Sequence, residues 1–165
     1  MVCEIRGYIL PLADEIFKTL YVYQSVEILI SNSINWFKNL QLLILAVECT
    51  SYSSLTSGDR KTKYVSNSYL CDRNLNGWYR FQGAAGTRMP TSCPPIKRCN
   101  THATGWLNGG HPTVVDGKVT RQVCFHWFSN CCYRCTNIEV RNCGSFYVYH
   151  FSGKPNCQYR YCGSD

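Results

Sequence analysis

Charge is scarce in this sequence: only 16% of its 165 residues are Asp, Glu, Lys or Arg, against roughly a quarter in an ordinary soluble domain. Acidic residues are the scarcest, with only five from Cys49 onward and no two of them adjacent. That region therefore offers no adjacent pair of carboxylates for acid–base work. It also has no Gly-rich phosphate loop and no Ser nucleophile elbow. Apolar runs are short as well. The clusters at residues 8–12, 16–26 and 28–30 are broken by charges and Pro11, so none supplies the roughly 20 apolar residues of a transmembrane span. No basic run exceeds the pairs Arg60-Lys61 and Lys97-Arg98, which argues against a nucleic-acid-binding arm.

Cysteine is abundant and unevenly placed. Of 12 cysteines, Cys3 alone precedes residue 49. At the density reached in residues 49–165 a disulfide scaffold is expected, and with it an oxidising, extracellular compartment. Charge divides at the same point, from −2 over residues 1–48 to +9 over residues 49–165. The chain thus reads as two unlike regions. The basic one could attract acidic glycans or other polyanions.

In the first region, Lys38 precedes a short apolar block, Leu40-Gln41-Leu42-Leu43-Ile44-Leu45-Ala46-Val47. This is the pattern of a secretory signal core with cleavage between Ala46 and Glu48, although its position is later than the usual 15–30 residues. Cys3 would leave with it. The alternative is that residues 13–45 form one or two amphipathic helices.

The second region has frequent Gly and Pro and little helical period, so a mainly β, small, irregular disulfide-rich domain of short strands is expected. Strands are expected after the Asn76-Gly77 turn, over Trp78-Tyr79-Arg80-Phe81, and over residues 146–151, where apolar and aromatic residues alternate. Residues 119–127 read as a strand or short helix, and Asn108-Gly109-Gly110 and Asp116-Gly117 as turns. Residues 50–67 read as loop or a short strand. Trp78 and Trp127 read as core anchors, and Trp106 equally as core or sugar platform.

The cysteines of this region are Cys49, Cys71, Cys93, Cys99, Cys124, Cys131, Cys132, Cys135, Cys143, Cys157 and Cys162. Adjacent Cys131 and Cys132 cannot readily bond each other and must reach different partners. The number is odd, and connectivity does not follow from spacing alone. Around these cysteines stand Cys71-Asp72, Gly77-Trp78-Tyr79-Arg80-Phe81, Gly86 with Arg88-Met89, Cys93, Arg98-Cys99-Asn100-Thr101, Trp106-Leu107-Asn108-Gly109 and His111-Pro112. They are followed by Cys124 with His126-Trp127, Cys131-Cys132, Tyr147-Val148-Tyr149, Cys157 and Tyr161-Cys162. This framework resembles the uromodulin-like cysteine-rich domain of extracellular glycoproteins. The resemblance implies the pairs Cys49–Cys143, Cys71–Cys157, Cys93–Cys131, Cys99–Cys162 and Cys124–Cys132. Cys135 has no counterpart there, which leaves it as a free thiol or a link to a partner chain.

The resemblance also implies an extracellular interaction or adhesion role without catalysis, metal or cofactor. The partner would be an extracellular protein or glycan, and not nucleic acid. In mammalian members the segment matching Asn108-Gly109-Gly110 carries an N-glycosylation signal bound by microbial adhesins. Here Gly110 stands in place of Ser or Thr, and no Asn-X-Ser/Thr occurs in the chain, so a glycan-decoy role has no residues to carry it. Three other chemistries compete. Cys132-Tyr133-Arg134-Cys135 has the spacing of half a zinc site or of a redox pair, but lacks a second such pair and a βαβ context. Four histidines, His102, His111, His126 and His150, with Lys118, would admit a ribonuclease-like hydrolase. A lectin-like, polyanion-binding protein is the remaining alternative.

Overall fold

The computed structural model describes residues 10–44, 46–65, 67–153 and 157–165. Cys3, and Leu45 of the apolar block, lie outside them. The chain divides into two compact units, residues 1–41 and 42–165.

The described part of the first unit is one α-helix, α1 (Leu10–Ile44). It belongs to a run rich in Leu, Ile and aromatic residues with no interior Gly and its only Pro near the start, where Pro is tolerated. Phe17, Tyr21, Leu29 and Trp36 are all exposed. No helix among the described residues is long and apolar enough to cross a membrane.

The second unit is a seven-stranded sheet: β1 (Ser53–Leu55), β2 (Asn76–Phe81), β3 (Ala103–Asn108), β4 (Lys118–Trp127), β5 (Asn130–Asn142), β6 (Tyr147–Ser152) and β7 (Tyr159–Tyr161). The strand order is β1-β2-β6-β5-β4-β3-β7. β1 lies parallel to β2 and β7 parallel to β3, while the four central pairings are antiparallel. Apart from the last residues of α1, helix among the described residues of this unit is confined to 3-10 turns such as Gly58–Arg60 and Gly83–Ala85.

Alternation builds the core. Val123 and Phe125 of β4, Ile138 and Val140 of β5, Tyr149 and Phe151 of β6, and Phe81 and Tyr161 are buried together. Phe151 stacks on Tyr161 at 3.8 Å between ring centroids. β5 runs 13 residues and β4 ten, longer than the local alternation at 138–140 shows. The extension carries Thr136, Arg134 and three cysteines, residue types held in a strand by pairing with β4 rather than by their own apolar pattern. Trp78 is half-buried rather than a core anchor, edge-on to His150 at 5.2 Å, because it shares its face with Arg80 while Tyr79 and Phe81 turn inward. Trp127 packs partly against the core and Trp106 is half-buried.

Five disulfides close this unit, with Cα–Cα separations of 4.7–5.8 Å: Cys49–Cys143, Cys71–Cys157, Cys93–Cys131, Cys99–Cys162 and Cys124–Cys132. Each restricts the unfolded chain and is worth about 2–4 kcal/mol. Beside Cys99–Cys162 lies a buried charge network. Arg60 donates twice to Asp72, both at 2.7 Å, and Arg160 donates to Asp59 at 3.0 Å. The Tyr161 backbone N–H also donates to Asp72 at 2.8 Å. This network fastens β7 to the turn at 58–60.

Candidate functional site

The β4–β5 hairpin is the most elaborately built part of the surface. Phe125 pairs with Arg134 and Trp127 with Asn130, so Cys131, Cys132 and Tyr133 bulge opposite His126 alone. Two disulfides brace the bulge, Cys131 to Cys93 and Cys132 to Cys124. The Trp106 indole N–H donates to the Cys131 carbonyl at 2.8 Å. That bond turns Trp106 into a strut of the bulge.

Beyond the bulge the chain reverses through Phe128, which has a positive φ of 51°, a conformation uncommon for a bulky residue. The turn leaves Phe128 63% exposed and stacked parallel on Trp127 at 5.1 Å, with Tyr133 edge-on to both rings. Exposed Phe128 and Tyr133, set against half-buried Trp127 on a covalently braced turn, suit contact with a partner, since little side-chain or backbone freedom remains to be lost.

Cys135 sits on the outer face of β5, directly across from Cys124. It is exposed and unpaired among the described residues. Sulfur atoms of Cys93 and Cys131 and a His126 ring nitrogen lie within 4.8 Å of one another. They do not make a metal-ligand set, because both sulfurs are spent in a disulfide and metal binding requires thiolates. The His126 Nδ1–H is itself taken, donating to the Pro94 carbonyl at 2.7 Å.

The other histidines lie in separate places. His102 stacks on Tyr69 at 3.9 Å and His150 meets Trp78. Lys118 pairs with Glu139. His111 lines a cavity of about 470 Å³ together with Arg88, Ser164 and Asp165. Its Nε2 is 2.8 Å from the Tyr149 hydroxyl, which also accepts the Met89 backbone N–H at 3.0 Å. Giving its own proton to Nε2 satisfies the buried hydroxyl and leaves the ring proton on Nδ1. Burial, with the nearby charges of Arg88 and Arg121, lowers the His111 pKa to about 4, so the ring is neutral at neutral pH. Burial pushes the Tyr149 hydroxyl well above its ordinary value.

Arg88 is placed at this cavity by a backbone bridge to the C-terminal segment. Its N–H donates to the Ser164 carbonyl at 3.1 Å, and the Ser164 N–H returns to its carbonyl at 2.7 Å. The approach is tight. A Cβ on Gly86, whose φ is +93°, would overlap the Ser164 backbone, so only glycine fits there. Sequence reading placed Arg88 in the cysteine framework but gave it no binding role and did not find the cavity, because segments 62, 88–95, 111 and 164–165 share no local pattern. Gly109 bends the chain out of β3 at a φ of +118°, with the Asn108 side-chain amide donating to the Gln122 side chain at 2.9 Å, and the hydrogen-bonded turn of the β3–β4 connection lies at Val114–Gly117.

Comparison with known proteins places these features in a group. The profile of the uromodulin-like domain family matches residues 79–163. The chain is 46% identical over 115 residues to pancreatic secretory granule membrane major glycoprotein GP2 of Canis lupus familiaris, covering 69% of this chain and 23% of that protein. It is 45% identical over 121 residues to uromodulin of Mus musculus, covering 73% and 19% respectively. The corresponding values for human GP2 are 43% over 115 residues, 69% and 21%. The chain thus spans about a fifth of the length of these relatives.

Proposed function

Since the chain belongs to the uromodulin-like domain family, we propose that it is a secreted, non-enzymatic extracellular interaction module. The observation that carries this reading is the hairpin turn at residues 127–133, where two disulfides brace exposed Phe128 and Tyr133 against half-buried Trp127. Such a surface offers pre-set contact area, and it offers no nucleophile or acid–base pair. The dispersal of the four histidines to separate contacts weighs against the hydrolase alternative. A relative named for the secretory granule membrane supports an oxidising secretory route, as does the disulfide content. Cys135, exposed on the outer face of β5, is the residue through which a disulfide-linked partner would attach.

The test is expression in a secreting eukaryotic cell, followed by peptide mapping without reduction and binding of the product to an array of extracellular proteins and glycans. The chain should reach the medium with five bridges. Phe128→Ser with Tyr133→Ser should abolish array binding without lowering secretion. Retention in the cell, or RNA turnover abolished by His126→Ala, would overturn the reading. The polyanion-binding alternative draws on a different place, the cavity at Arg88.

A further inference from the structure

We propose that the cavity beside Arg88 and His111 binds an acidic saccharide, with the Arg88 guanidinium receiving a sulfate or carboxylate and neighbouring hydroxyls meeting the sugar. The proposal rests on reading the chain as an extracellular interaction module and supplies a ligand class for it.

Charge pairing leads to this place. Residues 49–165 hold 14 basic and five acidic side chains, and each of the five acids already has a partner. Asp59 is bound to Arg160, Asp72 to Arg60, Glu139 to Lys118 and Asp165 to Lys61, while Asp116 accepts from Thr113. Arg88 has no share in this. Its side chain is exposed at the cavity and makes no hydrogen bond or ion pair among the described residues. A guanidinium is a planar fork of five donors matched to oxyanions, so it presents a ready counter-ion site.

The surroundings strengthen the field. Lys61 and Lys63 flank Thr62 in the lining, and both lower the pKa of Asp165, with the Lys61 hydrogen bond the leading cause. The one carboxylate side chain in the lining, Asp165, has both oxygens held by Lys61, at 2.6 and 2.9 Å. It therefore does little to repel an anion. His111 adds a neutral ring whose Nδ1–H is unused once Nε2 accepts from Tyr149.

Three features favour a saccharide over an acidic peptide. The hydroxyls of Thr62, Thr91 and Ser92 line the cavity without hydrogen-bond partners among the described residues, which suits a ligand that both donates and accepts. The exposed Pro95 in the lining offers an apolar ring face to sugar C–H groups. No lining residue belongs to a strand, so a peptide would find no strand edge to extend. The volume of about 470 Å³ lies within the roughly 300–1,000 Å³ usual for ligand sites.

The experiment is titration calorimetry of the secreted full chain at low ionic strength, where surface charges are least screened. Three probes are compared: a heparin-derived tetrasaccharide, its desulfated and N-acetylated counterpart, and a pentaglutamate peptide. The sulfated probe should bind, and the other two should bind at least tenfold more weakly. Arg88→Ala should weaken the sulfated probe at least tenfold, and Arg88→Lys less. Arg73→Ala and Arg134→Ala, at exposed cations outside the cavity, should change it less than twofold. Amide shifts on binding should centre on Met89, Ser92 and Ser164.

Equal losses at Arg73, Arg88 and Arg134 would mean diffuse attraction and overturn the site. Equal binding of pentaglutamate would overturn the saccharide class. A chain that is secreted with five bridges yet ignores the sulfated probe refutes this inference alone. Retention in the cell refutes the interaction reading beneath it.

Discussion

Residues 10–44 and residues 46–165 are both rich in apolar side chains and use them in opposite ways. Along α1, Phe17 and Tyr21 are 72% and 75% exposed. In the sheet unit Tyr149 and Phe151 are completely buried. The difference lies in where hydrogen bonds close. A helix satisfies its backbone within itself, residue to residue four apart, whereas a strand has no satisfied backbone until a distant segment arrives beside it. The sheet therefore brings remote aromatic residues together as a condition of forming, and bridges joining residues up to 94 apart keep them there. Apolar content alone does not make a core.

Removing covalent bracing should break this comparison most severely. Cys99→Ser with Cys162→Ser deletes a fully buried bridge and should cost about 2–5 kcal/mol, measured as a lower melting temperature and a smaller secreted yield. A chain beginning at Leu42 should melt with the same profile as the full chain for its sheet unit. Loss of that transition on truncation would show that the two regions are not independent.

Next comes the buried charge network. Asp72→Asn removes the carboxylate charge and one of the two oxygens that hold buried Arg60, and weakens the contact with Arg160 of β7; it should cost about 3–5 kcal/mol, since it leaves the buried Arg60 without a counter-ion. Urea unfolding would read this as a shifted midpoint at constant slope.

Tyr149→Phe should be milder, about 1–3 kcal/mol. It leaves the Met89 N–H and His111 Nε2 without their shared hydroxyl. The loss would be read as a lower melting temperature with the bridge pattern unchanged.

The pH effects come last because each is spread over two pH units or more, and their signs follow from linkage. His111 titrates at about 4 when folded against 6.5 as its ordinary value. The unfolded chain therefore binds more protons between those values, and stability falls as pH drops from about 6.5 to about 4. His111→Gln should flatten that slope. For Asp59, burial raises the carboxyl pKa, but hydrogen bonds from Arg160, Ser57 and Asn100 and the Arg160 charge outweigh it, giving about 2 against 3.8. Its stabilisation is full above pH 3.8 and lost as pH falls through about 2. Asp59→Asn should remove that second, lower step in an acid titration of the melting temperature.

Legibility in the sequence followed the range of the interaction. Phe81, Tyr149 and Phe151 declare their strands by alternation over a few residues, and Gly109 its turn by conformational freedom. The N-terminal half of β5 does not declare itself, because Cys131 to Asn137 form a strand only through register with β4. Nothing in the sequence joins Arg60, Asp72 and Arg160, which lie up to 100 residues apart. Only the fold converts them into a buried cluster, by setting β7 beside the 58–60 turn.

The sequence by itself determined that this is a disulfide-built, mainly β domain of the uromodulin-like kind, because cysteine density, strand alternation and family motifs are all properties of residue type and spacing. The tertiary structure alone decided that Phe128 projects from a braced turn, that Cys135 faces outward across from Cys124, and that Arg88 stands without a counter-ion beside a neutral His111. Each of those depends on which distant segment lies alongside, and that is set by sheet register and by the close approach of residues 86–88 to Ser164. A register is a property of two strands together, and neither strand carries it alone.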